Sequence, residues 1–91
     1  MRKPSEKTIR RLFAMSGNMC AFPECQSPIF EPSGTPTGEI CHIRAQRPGG
    51  PRYEPAQTDK VRHSYENLIL LCRRHHKIVD AQPDIFSPNV L

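Results

Sequence analysis

Four cysteines and four histidines constrain this chain more than any other feature. Cys20 and Cys25 flank a short knuckle containing Pro23, and Cys72 is followed by His75 with two residues between. Two thiols on a knuckle, joined by a thiol and an imidazole across a helix start, make a tetrahedral zinc set of the structural kind. Such a staple is needed, because the chain has only 91 residues, 36% of them hydrophobic, and no Trp. A core that small buries too little apolar surface to hold a fold unaided, whereas bound zinc contributes folding free energy. Cys41 and His76 are the alternative fourth ligands. An all-thiol set with Cys41 would leave His75 without an ion, and neighbouring helical residues point about 100° apart, so His75 and His76 do not both face one ion. The basic N-terminal residues Arg2, Lys3 and Lys7 are followed by no apolar run, unlike a secretory signal. That places the chain in a reducing cytoplasm, where thiols bind metals rather than pair.

Around these groups the chain reads as one α+β domain over 1–91. Ser5 as cap, Glu6 in the first turn, and Ile9, Leu12 and Phe13 at helical spacing predict an N-terminal helix within 1–16, stopped by Gly17. The prolines and glycines of 20–37 leave room for turns only. Residues 39–43 alternate as a strand, 67–71 form a short apolar run suited to a buried strand, and 73–80 suit a short helix that Pro83 stops. The stretch 44–66 carries Pro48, Gly49, Gly50, Pro51 and Pro55 without helical periodicity, and is expected to be an irregular loop. Its Arg44, Arg47, Arg52, Lys60 and Arg62 outweigh Glu54 and Asp59, a balance suited to a phosphate-facing loop as well as to a solvated one. The net charge of +4 permits a phosphate partner without requiring one. No run approaches the roughly 20 apolar residues of a membrane span, which excludes that class.

A second group lies beside the first. His76 and Asp80 are one helical turn apart on the predicted helix, a spacing at which imidazole and carboxylate share a divalent cation such as magnesium or manganese. His42 ends the first predicted strand and Asn67 opens the second, so pairing of the strands with the helix across them would bring His42, Asn67, His76 and Asp80 together.

The succession Cys20...Cys25, Gly38-Glu-Ile-Cys-His42-Ile, Gly49-Gly-Pro-Arg52, Glu66-Asn67-Leu-Ile-Leu-Leu-Cys72 and His75-His76-Lys-Ile-Val-Asp80 resembles the HNH endonuclease family of the ββα-metal fold. It is most similar to the bacterial branch in which a zinc knuckle precedes the nuclease motif, often as the nuclease part of a larger protein. The resemblance implies a metal-dependent endonuclease acting on DNA, with knuckle and core over 20–80 and a tail over 81–91. By that match His42 is the general base, Asn67 keeps it oriented, and His76 binds the catalytic metal, beside which Asp80 is the further ligand that the helical spacing suggests. Cys20, Cys25, Cys72 and His75 match the structural zinc ligands. Arg44 and Arg52 in the loop, with Arg73 and Lys77 on the helix, are the expected phosphate contacts, and a homodimer would pair two nicks. One position departs from the pattern: Cys41 stands where many members carry Asp or His as a metal ligand. A thiol there suits zinc, manganese or nickel better than magnesium. A zinc module that binds nucleic acid or protein without catalysis is the alternative.

Overall fold

The computed structural model describes residues 3–91; Met1 and Arg2, at the start of the expected N-terminal segment, lie outside the described residues. Helix α1 (Glu6–Met15) begins where the Ser5 hydroxyl accepts the Thr8 N–H at 3.1 Å. That N–H has no partner within the helix, so the cap satisfies it. The helix ends at Ser16, and Gly17 follows with φ +64°, the left-handed turn that stops helices.

Strands β1 (Gly38–His42) and β2 (Leu68–Cys72) pair antiparallel, with Cys41 opposite Ile69 and His42 opposite Leu68. β1 starts one residue earlier than the sequence pattern predicts and β2 one later, because a 3₁₀ turn over Tyr65–Asn67 takes Asn67. Successive strand residues point to opposite faces. Leu68 and Leu70 accordingly pack with Leu12 and Ile29, while Leu71 packs with Cys20, Cys41 and Val79. Helix α1 thus covers one face of the hairpin, and helix α3 (Arg73–Ala81), which contributes Val79, covers the other. Burial on both faces explains why β2 reads as a continuous apolar run rather than an alternation. Gly38 opens β1 hard against Ile29: a Cβ there would lie 2.5 Å from Ile29 Cδ1 and 3.1 Å from its Cα.

Residues 44–66 are not the wholly irregular loop expected of them. Thr58 caps a short helix, α2 (Asp59–Arg62), its hydroxyl accepting the Val61 N–H at 3.2 Å, and the 3₁₀ turn follows. A single turn is too short for hydrophobic periodicity to register. The loop's charge is also partly interior, since Arg62 is buried, bonding the Asp59 carboxylate and the carbonyls of Glu54 and Gln57. The tail is likewise part of the fold, with Phe86 and Leu91 packed against the Cys41–Leu71–Val79 cluster. No helix among the described residues is long and apolar enough to cross a membrane.

Leu71 is 0% exposed and Val61 49%. Leu71→Ala should therefore lower the unfolding free energy by about 2–5 kcal/mol, and Val61→Ala should change it by no more than about 0.5 kcal/mol. Parallel denaturant melts check both, and equal losses would contradict a core on that face of β2.

Candidate functional site

The knuckle delivers Cys20 and Cys25 to the junction of β2 and α3. Backbone bonds shape and dock it: Cys20 N–H to the Ser27 carbonyl at 2.9 Å, Cys25 N–H to Phe22 at 3.0 Å, and Ala21 N–H to Leu70 at 2.9 Å. At the junction, the Cys72 sulfur caps α3 by accepting the His75 N–H at 3.4 Å. This brings His75 Nδ1 to 3.3 Å from Cys72 Sγ and 3.7 Å from Cys20 Sγ. The ligand atoms of Cys20, Cys25, Cys72 and His75 all lie within 4.8 Å of one another. A sulfur and a nitrogen on one tetrahedral zinc are about 3.6 Å apart, so the donors are spaced to hold a metal such as zinc. All four cysteines are free of disulfides. Phe22 stacks on the His75 ring at 4.0 Å with planes 2° apart, which sets the ring's orientation. Burial raises the Cys20 thiol pKa, while hydrogen bonding from Ser27 lowers that of Cys25 to about 6. Cys41 and His76, the alternative ligands, fall in a different group.

That second group is His76 and Asp80 on α3 with Cys41 on β1. His76 Nε2 lies 3.1 Å from Asp80 Oδ2, and its Nδ1 lies 3.0 Å from Glu39 Oε1. A neutral imidazole carries one N–H, so a ring between two carboxylates needs either a second proton or a cation. With Nδ1–H donated to Glu39, Nε2 presents a lone pair beside Asp80. Adjacent ligands on a small octahedral cation are about 3.0 Å apart, close to the 3.1 Å found here. Cys41 is fully buried; burial first, then the charge of Asp80, push its thiol up to about 12. It therefore stays protonated and donates towards Asp80 Oδ1 at 3.7 Å.

Arg52 is the main correction to the expected phosphate contacts. Gly49 at φ +84° and Arg52 itself at φ +59° turn the chain sharply, and a Cβ on Gly50 would lie 2.5 Å from that of Ala45. Non-glycine residues rarely adopt such a φ, and this one is held by a surplus of bonds. The guanidinium, 2% exposed, donates to the carbonyls of Ile43, Val79 and Phe86 and to Asp80 Oδ1 at 2.6 Å. Buried, and with four of its five N–H groups donated inside the protein, it positions Asp80 rather than a phosphate. The exposed Arg73 and Lys77 border an open pocket with Glu39, His76 and Asp80, and Arg73 Nε lies 3.7 Å from Glu39 Oε2.

His42, half-buried at the end of β1, shares a pocket with His76 and Asp80, walled by Ile40, Ala45, Gln46 and Pro51. Burial, then the neighbouring His63 and His76, lower its pKa. Asn67 is buried just before β2, where its backbone carbonyl accepts the N–H of Ile43, the residue after His42, at 2.8 Å. Its Oδ1 accepts the Arg44 N–H at 3.0 Å, and its Nδ2 donates to the carbonyls of Arg44 at 3.0 Å and Arg62 at 2.7 Å. Arg44 is thus engaged through its backbone two residues beyond His42. Sequence reasoning missed two members of this neighbourhood, Glu39 and His63, whose Nδ1 lies 3.1 Å from His42 Nε2. Glu39 shares a strand face with Cys41, a parity signal that could have found it; His63 had no local signal. Neither models of known protein families nor curated proteins match this chain.

Arg52→Met should destabilise the protein by roughly 3 kcal/mol, as when one partner of an interior ion pair is removed. Adding Asp80→Asn should recover part of that loss in thermal melts, and strictly additive losses would show that the two side chains are not coupled. In a separate titration, Co2+ added to metal-free protein should develop the visible absorption of a tetrahedral thiolate site, weakened by Cys25→Ser. A spectrum of hydrated Co2+ alone would remove the Cys/His cluster as a metal centre.

Proposed function

We propose that this chain is a metal-dependent HNH endonuclease, in which β1, β2 and α3 form a ββα-metal unit and Cys20, Cys25, Cys72 and His75 hold a structural zinc. The observation that carries the reading is one pocket shared by His42 from the end of β1 and the His76–Asp80 pair from α3. A base beside a divalent-cation site is the equipment of phosphodiester hydrolysis. The order of these residues along the chain, with Asn67 between them, supports the same reading.

A divalent cation such as Mg2+, Mn2+ or Ni2+ at His76 Nε2 and Asp80 Oδ2 would supply stabilisation of charge on the phosphate and the departing 3′ oxygen. His42 takes a proton from the attacking water. Its lowered pKa keeps it unprotonated, and so ready for that step, at neutral pH. Glu39 accepts the His76 Nδ1–H and keeps Nε2 free, while Arg52 occupies Asp80 Oδ1 and leaves Oδ2 towards His76. Asn67 ties down the strand exit after His42. Arg73, Lys77 and Arg44 meet the DNA backbone, contacts that bind without reading sequence. A non-catalytic zinc module draws on a different observation: Cys41 adds a neutral thiol, and Arg52 already compensates Asp80.

Plasmid cleavage by wild type and His42→Ala, with each metal added after chelator washing, separates the two. Wild type should nick the plasmid, and His42→Ala should lose about 10²–10⁴ in rate with zinc content and circular dichroism unchanged. Folded, zinc-loaded protein that cleaves neither DNA nor RNA with any metal would favour the binding module. The rate needs unprotonated His42 and its pKa is depressed, so activity should persist as pH falls through about 6.5, the free imidazole value, and decline only below it. An acid limb above that value would contradict His42 as the base.

A further inference from the structure

We infer that His63 is the positioning residue of His42: its Nδ1 accepts the His42 Nε2–H and so leaves His42 Nδ1 as the nitrogen that takes a proton. The inference rests on the base role proposed for His42. The two rings meet edge to face, with His42 Nε2 3.1 Å from His63 Nδ1 and centroids 5.2 Å apart at 83°. Both residues are half-buried. Their separation is built into the backbone rather than left to side-chain chance. His63 ends α2, its N–H bonded to the Asp59 carbonyl at 3.1 Å, and the preceding carbonyl, of Arg62, accepts from Asn67 Nδ2 at 2.7 Å. The same Asn67 side chain grips both backbone groups of Arg44, and the Asn67 backbone carbonyl accepts the Ile43 N–H at 2.8 Å, directly after His42. One buried amide therefore sets the distance between the two histidines.

Only one proton fits between Nε2 and Nδ1, and its owner decides the state of both rings. If His63 Nδ1 carried it, both neutral rings would be Nδ1–H tautomers. If His42 Nε2 carries it, both are Nε2–H tautomers, the intrinsically favoured form of a histidine side chain. His63 lines an open groove with Lys3, Arg11 and Lys60, where water can satisfy its Nε2–H. A hydrogen bond to one ring nitrogen that fixes the tautomer of the other is the device by which imidazole bases are oriented.

Long-range ¹H–¹⁵N spectra of the full labelled chain, at a pH where both rings are neutral, read the tautomers directly. Wild-type His42 should be a single Nε2–H tautomer. His63→Asn, which keeps an acceptor near the same place, should preserve it, and His63→Leu should give a mixture. In cleavage assays His63→Leu should lower kcat by about 10–100-fold, the usual loss when an orienting partner is removed, with KM unchanged and His63→Asn restoring most of it. Wild-type His42 found as Nδ1–H overturns the inference, whether or not His63→Leu folds. So does a folded His63→Leu protein whose His42 tautomer is unchanged. Wild type that fails to cleave would sink the nuclease reading alone, because the tautomer spectra judge the His42–His63 pair independently.

Discussion

Cys72 is the position on which the rest of the structure turns. It is the last residue of β2, the cap of α3, and a member of the Cys20–Cys25–Cys72–His75 cluster. A sulfur cap is unusual, since oxygen side chains are the common helix caps. Here it means that the start of the helix and the convergence of the ligands are one geometric event. The phase of α3 follows: with His75 turned to the cluster, His76 lies about 100° round the axis and faces Glu39 and the His42 pocket instead. Adjacent histidines thereby serve two different groups of side chains.

A second chain of dependence runs through charge. Asp80 divides its carboxylate, Oδ1 to Arg52 and Oδ2 to His76, with the Cys41 thiol a further donor. A buried guanidinium such as Arg52 is tolerable only when paired and hydrogen-bonded, and here three carbonyls and Asp80 meet that demand. Because those carbonyls belong to Ile43, Val79 and Phe86, one side chain ties the exit of β1, helix α3 and the C-terminal segment together. Asn67 makes the complementary tie, from Arg44 to Arg62, at the same exit of β1. The pocket's order is thus held by two buried polar side chains.

What could be read locally was read well. The Ser5 cap, the Gly17 stop, the pairing segments and the α3 boundary each depend on contacts within a few residues or on a repeating pattern. The Cys and His spacing was legible because metal-ligand sets use short fixed separations. The polarity of the loop was misleading for the opposite reason. Arg52 looks like solvent-facing charge in the sequence, yet it is interior, because its partners Val79, Asp80 and Phe86 lie 27, 28 and 34 residues away along the chain. Glu39 was hidden by its ordinary place in a strand, since its link to His76 spans 37 residues.

The sequence by itself determined the order of α1, β1, β2 and α3, the buried character of β2, and Cys20, Cys25, Cys72 and His75 as a possible tetrahedral metal set with Cys41 and His76 as alternatives, because each follows from local propensity, periodicity or ligand spacing. Only the tertiary structure decided that Cys41 stays a buried thiol beside Asp80, that Arg52 faces inward, and that His42 meets His63 at 3.1 Å. Those outcomes depend on desolvation and on hydrogen bonds between segments far apart in the chain. They come into being only when the hairpin is closed between α1 and α3.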